Sequence, residues 1–176
     1  RGTLKLRFEV LQMRGLLRFA RGMGVLADVS RDFARRRFHP ELTDAICRSF
    51  YETKQHYLAS WHQDLGLFDF ETSALEAYFP PPPAHVLVAA AGGGREALAL
   101  LALGYRVTAY EPVGVMVDAM RARCGTSAEI VQTSMQAMDA HEALQGPFDA
   151  VILGWGGYGH IVTVEERIRV LSAMRH

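Results

Sequence analysis

Between Val86 and Leu100 the sequence VLVAAAGGGREALAL runs from an uncharged apolar stretch into three consecutive glycines and then into a helix-like segment. VTAY (Val107 to Tyr110) follows and ends on Glu111. An apolar run without charge suits a strand buried on both faces of a parallel sheet, and glycines at its end let the backbone approach a ligand where a helix opens. Strand, glycine loop, helix, strand and acid in that order make a nucleotide-binding half-unit. Gly94 and Glu111 are 17 residues apart, close to the roughly 20 at which an acid accepts the hydroxyls of an adenosine ribose.

The remaining composition narrows the partners. The chain has 176 residues, 49% of them hydrophobic and 22% charged, an ordinary balance for a chain with a real core. Lys plus Arg (19) cancel Asp plus Glu (19), so no overall positive field draws it onto nucleic acid or an anionic membrane. The basic run FARRRF (Phe33 to Phe38) reads as a solvated helix face. Cys47 and Cys124 stand apart and outside any Cys/His cluster, which argues against structural zinc and a disulfide scaffold and for a reducing cytoplasm. No basic-then-apolar leader opens the chain. The longest uncharged stretch, Phe79 to Gly94, holds four prolines and three glycines and cannot be a spanning helix. The chain begins at Arg1 without an initiator methionine, as a fragment would.

Pro80 to Pro83 mark the clearest boundary, because consecutive prolines donate no hydrogen bonds and hold an extended rod. The pattern predicts three parts: a helical region over residues 1–79, a proline linker at 80–83, and an α/β domain over 84–176. Apolar residues from Leu4 to Phe19 recur at helical spacing. A second helix is expected from about Pro40 through Cys47, Phe50, Tyr51 and Tyr57 toward Trp61, and a third over Thr72 to Tyr78. After Ala84 the expected order is strand His85–Ala89, helix Gly94–Leu103 ended by Gly104, strand Arg106–Tyr110, helix Val113–Cys124, strand Glu129–Gln132 and strand Phe148–Leu153. Such alternation implies a Rossmann-like parallel sheet with flanking helices and a site at the strands' carboxyl ends.

At these motifs the chain resembles the class I S-adenosylmethionine-dependent methyltransferases, from Ala84 to its carboxyl end. VLVAAAGGG occupies the place of that family's V-L-D-x-G-x-G-x-G. VTAYEPVGVMVDAMR resembles its acid-terminated second strand with the helix beyond, and FDAVILGWGGYGHI with EERIRVLSAMR its fourth strand, loop and helix. The resemblance implies S-adenosyl-L-methionine as cofactor and a methyl acceptor as partner, a small molecule given the neutral charge. It implies that Ala90, Ala91, Gly92 and Gly94 line the methionine moiety and that Glu111, followed by Pro112, takes the ribose hydroxyls. Met116, Ser134 and Met135 would lie about the adenine, and Gly154 and Trp155 beside the sulfonium. Val88 stands where the family has an acid, Ala90 where it has its first glycine, and Ser134 where it often has an aspartate. The resemblance also predicts a fifth strand after Arg175 and His176, absent from this sequence, which would leave the fourth strand as an edge open to self-association.

Methyl transfer is an in-line displacement at a carbon activated by positive sulfur, so protein groups align the partners, exclude water and take a proton from the acceptor. Candidates for acceptor-side work are Tyr158 and His160 after the fourth strand, and Tyr51, His56, Tyr57, Trp61 and His62 from the helical region. His160 suits a base because imidazole titrates near neutrality. Tyr57 and Trp155 suit cation–π contact with a sulfonium. No metal ligand set is apparent. Two other readings share the glycine loop: a nicotinamide-linked oxidoreductase on a Rossmann fold, and a non-catalytic interaction domain on the methyltransferase fold. Gly92→Val is expected to abolish cofactor binding in a calorimetric titration by blocking the backbone's approach to the ligand. Normal binding by that variant would place the ligand elsewhere.

Overall fold

Four parallel strands in the order β3-β2-β1-β4 form the centre of the structure, a computed structural model that describes Ser49, Tyr51, Glu52, Leu58 and residues 64–154, 156–161 and 163–174. The elements are α1 (Asp69–Tyr78), β1 (His85–Ala89), α2 (Arg95–Ala102), β2 (Arg106–Glu111), α3 (Gly114–Cys124), β3 (Ala128–Gln132), β4 (Ala150–Leu153) and α4 (Val164–Ala173). Short 3-10 turns at Met135–Ala140 and Glu142–Leu144 lie between β3 and β4, and another at Gly157–His160 precedes α4. The expected α/β architecture is therefore present. Of the helical region expected over residues 1–79, α1 is described together with helical Ser49, Tyr51 and Glu52. The helices expected around Leu4 to Phe19 and most of the one toward Trp61 lie outside the described residues. Compactness divides the chain into two units, residues 1–43 and 44–176, and the second contains the sheet.

Strand β1 forms because HVLVA has no charge to solvate and β-branched residues that fit a pleat covered on both sides. Val86 to Ala89 are all buried. The alternation of the pleat sends Val86 and Val88 to one face with Val107, Ala109, Ala97, Leu100 and Met120. Leu87 and Ala89 go to the other with Tyr110, Met135, Met138, Ile161 and Val170. Val88, where the resembled family has an acid, is thus a core residue. Helix α2 ends as the sequence suggests: Gly104 takes φ +90°, its N–H bonds Leu101 O and the Tyr105 N–H bonds Leu100 O, a Schellman closure that satisfies two orphan carbonyls.

Three of the boundaries that differ from expectation have a visible cause, while those of α2, α3 and β3 differ by one residue. Helix α1 begins at Asp69 rather than Thr72 because Asp69 and Glu71 sit in its first turn, and Glu71 Oε2 accepts the Phe68 N–H at 2.7 Å. Strand β2 continues through Glu111, which pairs with Gln132. Strand β4 begins at Ala150 rather than Phe148. Asp149 bonds His85 twice, its N–H donating to His85 O and its carboxylate accepting the His85 N–H, and the Phe148 ring meets His85 edge-on.

The segment before the prolines is joined to the sheet layer by one buried cation. Arg95, at the first position of α2, is 4% exposed. Its guanidinium holds both carboxylate oxygens of Glu71 at 2.8 and 2.6 Å, Glu96 Oε1 at 2.7 Å and the Gly66 carbonyl, and lies 4.2 Å from the centre of the Phe68 ring. Burial alone would raise the Glu71 carboxyl, but Arg95 and the Phe68 N–H outweigh it and hold it below its ordinary value. Leu75 of α1 packs into the same core as Val86 and Leu100.

Removing the cation while leaving the carboxylates buried should be costly: Arg95→Ala is expected to lower unfolding stability in urea by about 3 kcal/mol at neutral pH. The Glu71 share of that loss is present above the unfolded carboxylate pKa and disappears as pH falls through the depressed folded value. A gap between wild type and Arg95→Ala that stays constant across the carboxylate range would contradict the pairing.

Candidate functional site

The strand order places a topological switch point between β1 and β4, since the chain proceeds from β1 outward to β2 and β3 and then returns to the opposite side of β1. Ligands of open α/β sheets bind in the crevice at such a point, beyond the strands' carboxyl ends. Four connections meet at that edge: Ala90–Gly94 after β1, Pro112–Val113 after β2, Thr133–Ser134 after β3 and the segment from Gly154 after β4.

The glycine loop is shaped by backbone conformations that few side chains accept. Ala90, Gly92 and Gly94 have φ of +52°, +56° and +91°. Gly94 is irreplaceable on space as well, because a Cβ there would lie 2.6 Å from Met120 Cγ. Gly92 differs: a Cβ there would meet nothing closer than Met116 Sδ at 4.0 Å, so no described residue crowds Gly92. Ala90 holds a left-handed conformation that costs an L-residue roughly 1–2 kcal/mol.

Glu111 fixes the loop from the neighbouring strand. Its Oε2 accepts the Gly92 N–H at 2.9 Å and its Oε1 accepts the Val113 N–H at 3.0 Å, while the Ala91 N–H bonds Tyr110 O. Glu111 is buried. Burial raises its carboxyl above the usual range, and the two N–H donors partly oppose that rise. An ionised carboxylate has about four lone-pair sites. Two are used among the described residues.

The β4 side closes the crevice by direct backbone packing. The Gly154 N–H bonds Ala89 O at 2.7 Å, and a Cβ on Gly154 would fall 2.2 Å from Ala90 O and 3.0 Å from Ala89 O. Gly157 leaves the space that the Ala90 methyl fills, since a Cβ there would lie 3.0 Å from it. Ala90, Ala91, Gly92, Gly94, Glu111, Met116 and Gly154 are therefore in one contiguous cluster. Pro112 is half-buried between the two residues of the Glu111 clamp. Ser134 precedes the 3-10 turn at Met135, joined to the cluster by the Thr133 N–H on Glu111 O at 3.2 Å, and Met135 is buried against the Tyr110 face. Trp155 and Tyr57 lie outside the described residues, as do His56, Trp61 and His62.

The two acceptor-side candidates after β4 have different surroundings. Tyr158 is exposed, with the Arg167 guanidinium 4.9 Å from the centre of its ring. His160 is half-buried and its Nε2 is 3.1 Å from the Tyr51 hydroxyl, the rings meeting edge-on at 5.5 Å. That contact joins residues 109 positions apart, and no local pattern could have announced it. The Arg95 cluster was equally unforeseen, although an arginine directly after a glycine loop, opening a helix as apolar as REALALLA, was a signal available in the sequence. On the opposite sheet face the Tyr110 hydroxyl is buried without a hydrogen-bond partner among the described residues. Burial, with the Glu111 charge adding to it, raises that phenol far above its ordinary value. No group of three or more potential metal ligands occurs among the described residues.

No protein-family model matches the chain. No curated protein matches it either. Solved structures do. A TehB-like SAM-dependent methyltransferase from Corynebacterium glutamicum aligns over 73% of this chain and 65% of its own, with 19% identity and a TM-score of 0.53. The glycopeptide N-methyltransferase MtfA aligns over 59% of this chain at 25% identity. Its sinefungin complex is covered to 42% with a TM-score of 0.47, and its S-adenosyl-L-methionine complex to 46% with a TM-score of 0.46. This chain thus spans less than two thirds of the length of the first and less than half of MtfA. The likeness to the first is one of fold: a parallel sheet with flanking helices, Rossmann-like in its strand order.

Two substitutions at the switch point should act with opposite signs on urea unfolding. Gly154→Ala forces main chain apart and is expected to cost about 2 kcal/mol or more. Ala90→Gly relieves the left-handed strain at the expense of unfolded-state entropy and is expected to gain about 0.5 kcal/mol. A neutral Gly154→Ala would mean that β4 does not approach the loop as described.

Proposed function

We propose that the chain carries out S-adenosyl-L-methionine-dependent methyl transfer to a small-molecule acceptor. The observation that carries this reading is the clamp of Glu111 on the glycine loop at the switch point, with spare acceptor capacity on the carboxylate and an uncrowded Gly92. The residues present fit the cofactor. Ala90 to Gly94 would face its amino acid portion, Glu111 its ribose, and Met116, Ser134 and Met135 its adenine. Gly154 and Trp155 would flank the sulfur, with Tyr57 over it. The bound cofactor would supply a methyl group on positively charged sulfur.

The protein's own part is alignment and proton handling. The loop acid that the family resemblance assigns to the first strand is replaced by core Val88, and the organising carboxylate comes from β2 instead. His160 and Tyr158 are the candidate acceptor-side groups after β4, and His160 is the better suited to take part in proton transfer because the Tyr51 hydroxyl engages its ring. A neutral overall charge favours a small acceptor over nucleic acid. No helix among the described residues is long and apolar enough to cross a membrane, and Cys124 is a buried free thiol, which fits a cytoplasmic setting.

Calorimetric titration with S-adenosylhomocysteine and, separately, NAD tests the reading. Binding of the first alone supports methyl transfer, binding of NAD alone an oxidoreductase, and binding of neither a non-catalytic domain. Glu111→Ala should weaken S-adenosylhomocysteine by about 1.5–3 kcal/mol, the usual worth of hydrogen bonds to a charged group. Only the ionised carboxylate accepts both ribose hydroxyls, so wild-type affinity should be full above the raised Glu111 pKa and decline as pH falls through it. Affinity independent of pH across that range, or unchanged in Glu111→Ala, contradicts the assignment.

A further inference from the structure

The hydrogen bond between Tyr51 and His160 brings a residue from well before the proline run onto the loop that follows β4. His160 closes the 3-10 turn that opens at Gly157, and Gly157 packs on Ala90 of the glycine loop. The pair therefore stands at the carboxyl edge of the sheet, next to the switch point. Tyr158, the tyrosine of this loop itself, is exposed with the Arg167 guanidinium over its ring. The phenol in contact with the imidazole is Tyr51.

We infer that Tyr51 is the acceptor-side catalytic residue, taking the proton of the methyl acceptor, and that His160 is the positioning residue that receives the proton displaced from the phenol. The inference rests on the methyl-transfer reading above. A phenol alone is a poor proton acceptor near neutral pH because its oxygen already carries a proton. With its O–H directed at Nε2 of a neutral imidazole protonated on Nδ1, it gives up that proton as it takes another. The acceptor's X–H proton passes to Tyr51 Oη while the Oη–H proton passes to His160 Nε2. The lone pair freed on X forms the bond to the methyl carbon, and the carbon–sulfur bond breaks with its electrons returning to sulfur. A neutral thioether remains, and the positive charge once on sulfur ends on the imidazolium. No oxidant, reductant or further reactant is needed. The 3.1 Å separation suits such a transfer.

The test needs no knowledge of the acceptor, because a pair that works beside the reacting sulfur must feel its charge. S-adenosylmethionine carries a sulfonium and S-adenosylhomocysteine a neutral thioether, so the ratio of their affinities reports the field at that sulfur. Tyr51→Glu should shift the ratio toward S-adenosylmethionine and His160→Lys away from it, each by roughly fivefold or more, measured by calorimetry on the full chain. Tyr51→Phe and His160→Gln, which add no charge, should leave the ratio within about twofold of wild type. A general disturbance of the site weakens both ligands together and does not move the ratio. Charge variants whose ratio stays at the wild-type value would overturn the assignment. If the wild type binds neither ligand, the methyl-transfer reading has failed, and the inference falls with it. Circular dichroism on each variant separates loss of fold from loss of binding. Should Tyr51→Glu not fold, the ratio for His160→Lys decides alone.

Discussion

A single carboxylate ties the first two strands of the sheet into a site. Glu111 ends β2 with both oxygens bonded to backbone N–H groups, one in the glycine loop and one at the entry to α3. Those N–H groups belong to tight turns that offer no backbone acceptor of their own. Without Glu111 the buried Val113 N–H would lack a partner, at a cost of roughly 1–3 kcal/mol, and the half-buried Gly92 N–H would lose its acceptor. In the proposed reading the same carboxylate also accepts the ligand's hydroxyls. Its burial makes ionisation expensive, and each added donor offsets part of that cost.

The sheet's order then determines where that group can act. Because β4 returns on the far side of β1, its first residue beyond the strand meets the carbonyls of Ala89 and Ala90 at a separation that only glycine permits. The loop is held between Glu111 on one side and Gly154 on the other, while Gly94 seals its base on Met120. Ala90 remains in a conformation that glycine would adopt without strain. Its methyl occupies the space above Gly157, so the two residues exchange bulk across the crevice. Behind the loop, Arg95 extends the constraint to Gly66, Phe68 and Glu71.

Local pattern made the central strands and α2 legible. HVLVA has one conformation consistent with its composition and its flanking prolines and glycines, and β1 has the expected bounds. The glycine and acid positions were equally readable, because left-handed turns and strand-end carboxylates are set within a few residues. Contacts that depend on distant side chains were not. Asp149 leaves the strand pattern to bond His85, 64 residues away, and thereby shortens β4. The Arg95–Glu71 pair and the Tyr51–His160 pair join segments whose spacing carries no period. Val88 illustrates the opposite difficulty: its departure from the family motif is visible in sequence, but only its place among Val86, Ala97 and Leu100 shows that the position has become core.

The most direct measurement is a crystal structure of the chain with S-adenosylhomocysteine. The ribose hydroxyls should lie within hydrogen-bonding distance of the Glu111 carboxylate, with the ligand's amino acid portion against Gly92. A ligand bound away from the glycine loop, or ribose hydroxyls out of reach of Glu111, would contradict the central role given to that carboxylate.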